Sequence, residues 1–173
     1  MKSYEAKSIR NLCLVSHGGV GKTSFLNRLI HDKFNNNNEL TKGVEFFSKT
    51  LAINGHEYNF VLWDFAGQHQ FQELLNDFVD GSVAAFVLFD LSRLSTLEGL
   101  EDWIEKLTRN DISVFILGTK CDTINLDDCK IFDDYILNII RKYNNIVGYL
   151  KISSKTGHNI KNAFDSLLKK IPN

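Results

Sequence analysis

Ser16-His17-Gly18-Gly19-Val20-Gly21-Lys22-Thr23 is the stretch that decides the fold. Before it, Ile9-Arg10-Asn11-Leu12-Cys13-Leu14-Val15 reads as a buried strand. After it, Phe25, Leu26, Leu29 and Ile30 recur at helical spacing. A glycine-rich turn between a strand and a helix is the setting a phosphate-binding loop requires. Backbone N–H groups of such a loop cradle phosphate oxygens, and the helix N-terminus adds positive potential. In this reading Lys22 bridges the β- and γ-phosphates and Thr23 ligates Mg²⁺. The contacting run is His17, Gly18, Gly19, Val20, Gly21, Lys22, Thr23 and Ser24. Ser16 stands where the loop pattern usually begins with Gly, so a little backbone strain is expected there, with no donor lost.

Downstream, the polar run 35–38 reads as an exposed, mobile loop. Two strand-like segments, 45–53 and 57–63, flank Asn54-Gly55, a hairpin signal because both turn positions favour positive φ. Short apolar runs at 83–89 and 114–117 suit strands covered on both faces. Ser95 and Glu98 are spaced for a capping box ahead of a helix carrying Leu97, Leu100, Ile104 and Leu107. A second helix uses Phe132, Ile136, Ile139, Ile140 and Tyr143. A short strand at 149–152 precedes a last helix with Ile160, Phe164, Leu167 and Ile171 on one side. The alternation predicts an α/β, three-layer fold over one domain, 1–173, without internal repeats. Its mostly parallel six-stranded sheet has one antiparallel edge strand, and helices cover both faces.

Three further segments carry chemistry. Trp63-Asp64-Phe65-Ala66-Gly67-Gln68 ends the second hairpin strand, and ligands of open α/β sheets sit at the carboxyl ends of strands. Asp64 is thus expected to face the metal through water. Gly67 is expected to offer its N–H to the terminal phosphate, and Gln68 to orient the attacking water. Thr119-Lys120-Cys121-Asp122 follows another apolar strand. The Asp122 carboxylate can accept both N1–H and N2–H of guanine, a donor pair adenine lacks. Lys120 can lay its aliphatic stem across the base. Ser153-Ser154-Lys155 follows the next short strand, with the Ser154 N–H suited to guanine O6. Asp122 as a mere helix cap, and Ser153-Ser154-Lys155 as a plain turn, are the bland alternatives.

Composition narrows the rest. The chain has 173 residues, 43% hydrophobic and 24% charged, with a formal charge of -1, so nucleic acid has no electrostatic claim on it. Cys13, Cys121 and Cys129 are scattered, as expected of reduced, structural thiols in a cytosolic protein. The start lacks an apolar signal core and a myristoylation glycine, and the end lacks a prenylatable cysteine. The expectation is a cytoplasmic protein without its own lipid anchor, recruited to a membrane, if at all, by a partner.

Taken together, the four segments resemble, in order and spacing, the guanine-nucleotide-binding domain of the Ras superfamily, across nearly the whole chain. Rab proteins are the most similar branch, through Lys42-Gly43-Val44-Glu45-Phe46 and an aromatic trio, Phe46, Trp63 and Phe78, at effector-contacting positions. Thr119, in place of the usual Asn, is a Rho-like feature, and Phe65 a Roc-like one. Asn38 stands where many members have a tyrosine that lids the phosphates. The resemblance implies Phe34 packed edgewise on guanine and Thr41 as the first switch threonine, a magnesium ligand in the GTP state. It also implies a monomeric, Mg²⁺-dependent GTPase of slow intrinsic rate. Such a switch signals to effector, activating and exchange proteins through loops around Thr41 and Gln68. The alternatives are a scaffold module that binds nucleotide without cycling, and an ATP-using P-loop enzyme, which Asp122 argues against.

Overall fold

The computed structural model describes residues 9–36, 42–53, 55–65, 79–125 and 127–171; of Ile53, His56, Trp63, Asp64 and Phe65 only the backbone is described. These residues form strands β1 (Ile9–Val15), β2 (Val44–Ile53), β3 (His56–Phe65), β4 (Ser82–Asp90), β5 (Ser113–Thr119) and β6 (Ile146–Lys151). Helices α1 (Lys22–His31), α2 (Leu100–Arg109), α3 (Cys129–Lys142) and α4 (Ile160–Leu168) alternate with them. The sheet runs in the order β2-β3-β1-β4-β5-β6, with β2 antiparallel at the edge and all other pairings parallel. This is the mostly parallel α/β architecture expected.

Period-two alternation explains how the layers assemble. Along β1, Leu12 and Leu14 enter one core with Phe25 and Leu26 of α1 and Ile160, Phe164 and Leu167 of α4. Cys13 and Val15 point the other way, into a core shared with Leu100, Ile104 and Leu107 of α2 and Phe132, Ile136 and Ile139 of α3. Both faces are covered, which is why 83–89 and 114–117 read as unbroken apolar runs. Aromatic rings anchor each side: Phe25 meets Phe86 edge-on at 5.2 Å, and Phe89 stacks on Phe132 at 5.8 Å. The thiols of Cys13, Cys121 and Cys129 are free, and the first and last are buried.

Two local expectations are corrected. Ser95 and Glu98 do not form a capping box: Leu94–Leu97 is a separate 3₁₀ turn, and α2 starts after Gly99 with no side-chain cap. Gly99, at φ 73, reverses the chain between them, so Ser95 is a full turn too early to cap α2. Ser16 is also not among the residues with positive φ, so it carries no left-handed strain. Gly55 has φ 82 and Ile53 pairs with His56, as a two-residue hairpin requires; Asn54 lies outside the described residues.

Candidate functional site

β1 lies at the point where the chain order reverses, with β3 on one side and β4 on the other. Loops after β1, β4, β5 and β6 therefore open at one edge of the sheet, where open α/β sheets bind ligands. The loop 16–21 leaves β1 there. Gly19 (φ 72) and Gly21 (φ 101) take conformations that side-chain-bearing residues avoid. A Cβ on Gly21 would meet nothing within 4 Å, so the loop borders open space. Lys22 is 6% exposed, and its ammonium donates to Ser16 Oγ at 3.0 Å and, more weakly, to the His17 carbonyl at 3.5 Å. The serine that replaces the expected glycine thus positions the lysine head. Thr23 and Ser24 fall in the first turn of α1.

The two segments read as contacts for a base are tied to one another. Asp122 lies in a 3₁₀ turn, Cys121–Thr123, that begins after Lys120 at φ 59. The hydroxyl of Ser153, fully buried, donates to Asp122 Oδ1 at 2.6 Å. The backbone joins the same two loops, Cys121 N–H donating to the Ile152 carbonyl at 3.1 Å. Thr119 is 2% exposed, its hydroxyl 2.6 Å from the Val20 carbonyl and 3.0 Å from that of Phe89. Having one proton, it donates to the nearer. Thr119 therefore links the end of β5 to the loop 16–21.

Three residues escaped the reading of the sequence. Asp90, at the end of β4, has no exposed surface. Its carboxylate accepts from Lys120 Nζ at 2.7 Å, Arg93 Nε at 2.9 Å, and the N–H and hydroxyl of Ser92. Burial pushes the carboxyl up, but the bonds from Lys120, Ser92 and Arg93 outweigh it and hold the group below the ordinary 3.8. Arg93 Nη2 donates to the Gly19 carbonyl at 2.9 Å. Arg28, on α1, clamps the fourth segment: Nε donates to the Ser154 carbonyl and Nη2 to that of Lys155, both at 2.7 Å. A carboxylate closing an otherwise apolar strand was the available signal for Asp90. Arg28 had none, since one arginine on a helix is usually a solvated face.

Phe34 is half-buried just beyond α1, in irregular backbone. Thr41, Gly67, Gln68 and Phe78 lie outside the described residues. The backbone of Asp64 pairs with Leu14 of β1 and Glu45 of β2, next to the start of the loop. Phe46 is largely exposed and pairs with Trp63 across β2 and β3. The donor types fit their expected guests: loop N–H groups and an ammonium for phosphate, and two hydroxyls and a carboxylate, all hard oxygens, for Mg²⁺. Among the described residues, no group of three or more His, Cys, Asp or Glu side chains could hold a metal.

A glycine loop at the switch point and a carboxylate presented by the loop after β5 define a P-loop nucleotide-binding protein. The Ras family model matches residues 11–173, so this chain belongs to the Ras family. Its sequence is Rab-like. It is 31% identical to Ras-related protein Rab-22A of Homo sapiens over 169 residues, 93% of this chain and 82% of that protein. It is 31% identical to Rab-18-B of Danio rerio over 164 residues, 92% of this chain and 78% of that one. It is 30% identical to Rab-31 of Rattus norvegicus over 172 residues, 95% of this chain and 85% of that one. The chain is a small GTPase: it binds guanine nucleotide and hydrolyses GTP. No helix among the described residues is long and apolar enough to cross a membrane.

Proposed function

We propose that this single domain works as a Mg²⁺-dependent switch. GTP is held between the loop 16–21 and Asp122, and the γ-phosphate orders two loops around Thr41 and Gln68 that partners sense. The observation that carries this reading is the convergence at one sheet edge of the buried Lys22 ammonium, the open space beside Gly21 and the Ser153–Asp122 pair. Ser153 occupies one lone-pair direction of Asp122 Oδ1 and leaves the other, together with Oδ2, to accept the guanine N1–H and N2–H pair. Lys120, its head held on Asp90, keeps its stem at the base position. Phe34 packs on the edge of the same base, and the Ser154 N–H meets guanine O6. At the other end, Lys22 and the N–H groups from Gly18 to Thr23 neutralise the phosphates, while Gln68 orients water and Gly67 meets the γ-phosphate. Thr23, Thr41 and Asp64 would hold Mg²⁺, which would supply charge neutralisation for the phosphates.

Acting alone, a protein of this kind cleaves GTP at a rate on the order of 10⁻⁴ s⁻¹. Single-turnover GTP cleavage with Mg²⁺ and with excess chelator, alongside GDP-against-ADP competition, tests the proposal. Slow, Mg²⁺-dependent cleavage and preference for GDP are expected. Binding without cleavage would leave a nucleotide-holding module, and equal competition by ADP would remove the role given to Asp122.

A further inference from the structure

The outer wall of the phosphate loop is built by side chains from segments that carry none of the phosphate motif. Thr119 holds the Val20 carbonyl from β5. Arg93, in the turn after β4, holds its neighbours: Nη2 lies 2.9 Å from the Gly19 carbonyl oxygen and 3.4 Å from that of Gly18. His17 is tied to the same region, its Nε2 bonded to the Glu98 carbonyl. In a planar trans peptide the C=O and N–H of one unit point in opposite directions. A carbonyl fixed from outside therefore turns the next residue's N–H toward the other side. Held at Gly18, Gly19 and Val20, the carbonyls aim the N–H groups of Gly19, Val20 and Gly21 together.

Arg93 is itself fixed. Its Nε meets the fully buried Asp90 carboxylate at 2.9 Å, and the same oxygen takes Lys120 Nζ at 2.7 Å. A guanidinium can do this because its fork offers Nε and Nη2 in one rigid plane, one toward the acid and one toward the loop. Asp90 thus joins the segment that reads the base to the loop that holds the phosphates.

We infer that Arg93 is a positioning residue for the nucleotide phosphates, braced on Asp90 and setting the inward aim of the loop N–H groups without touching the ligand. The inference rests on the guanine-nucleotide reading of the site and deepens it. Its test is the release rate of a fluorescent GDP analogue from the full chain in excess Mg²⁺, for wild type, Arg93→Ala and Arg93→Lys. Loss of one charge-assisted bond, discounted for the partial exposure of Arg93, should speed release by about 3- to 10-fold in Arg93→Ala. Lysine keeps a cation beside Asp90, so the melting temperature of Arg93→Lys should stay near wild type. It cannot fork to the Gly19 carbonyl as well, so its release should remain fast. GDP-against-XDP preference should not change in either variant. Wild-type release from both variants, or from Arg93→Lys alone, would overturn the inference while leaving the site reading intact. Failure of the wild-type chain to bind GDP would instead remove the site reading and the inference with it.

Discussion

Replacing Thr119 by valine isolates the link between the base-side strand and the phosphate loop. The two side chains are nearly the same shape and the site is 2% exposed, so no cavity opens, but a methyl cannot stay as close to the Val20 and Phe89 carbonyl oxygens as the hydroxyl does, so the loop must draw back from it. What disappears is the 2.6 Å hydrogen bond to the Val20 carbonyl. An acceptor left unsatisfied in the interior costs about 1–3 kcal/mol. For a domain of this size each kcal/mol lowers the melting midpoint by roughly 2–4 °C, so a fall of about 4–8 °C is expected for a 2 kcal/mol loss. The same carbonyl is one of the three whose outward anchoring aims the loop N–H groups, so GDP should also leave faster. Thermal unfolding at saturating GDP, paired with release of a fluorescent GDP analogue, measures both. A melting midpoint and release rate indistinguishable from wild type would refute the structural role given to the hydroxyl.

Asp122→Asn should weaken GDP binding and shift preference toward xanthine nucleotides, whose C2 carbonyl an amide can donate to; unchanged base preference in the folded variant would sink the assignment. Gln68→Leu should leave GDP affinity near wild type and slow single-turnover GTP cleavage, so cleavage at the normal rate would remove Gln68 from the mechanism. Asp90→Asn should cost about 2–3 kcal/mol at neutral pH, because Lys120 and Arg93 lose a buried partner but stay partly solvated. The folded carboxyl lies below its ordinary 3.8, so its contribution is present above that pH and fades as pH falls through the lower folded value. The stability gap between Asp90→Asn and wild type should therefore close on acidification below pH 3.8, and a gap independent of pH would contradict the depressed value. Gly148→Ala should destabilise by about 1–3 kcal/mol. A Cβ there would sit 2.5 Å from Cε2 of Phe115, a core ring with little room to move, and denaturant unfolding reads the loss directly.

How much was legible follows from how local each signal is. The strands and helices were, because burial on two faces writes itself as apolar runs and helical repeats within a dozen residues. The α2 start was not: Ser95 and Glu98 have capping-box spacing, but the chain turns at Gly99 in a left-handed conformation that residue types alone did not reveal. The loop from Ser16 to Thr23 could be read as a candidate phosphate binder because glycines, a lysine and a hydroxyl at fixed offsets are the chemistry such a site needs. The strain expected at Ser16 is not there, because its backbone does not take the positive φ that Gly19 and Gly21 take, and residue types alone do not reveal which loop positions do.

The class of ligand and the α/β layering depend on residues adjacent along the chain, so both could be read from residue order. What holds the site in shape is visible only once the chain is folded. Thr119 reaches Val20 across 99 residues, Arg28 reaches Ser154 across 126, and Arg93 reaches Gly19 across 74. Such contacts leave no periodicity or spacing to read. They exist because parallel strands deliver distant loops to one edge, where buried carbonyls and a buried carboxylate must find donors or forfeit the free energy of folding.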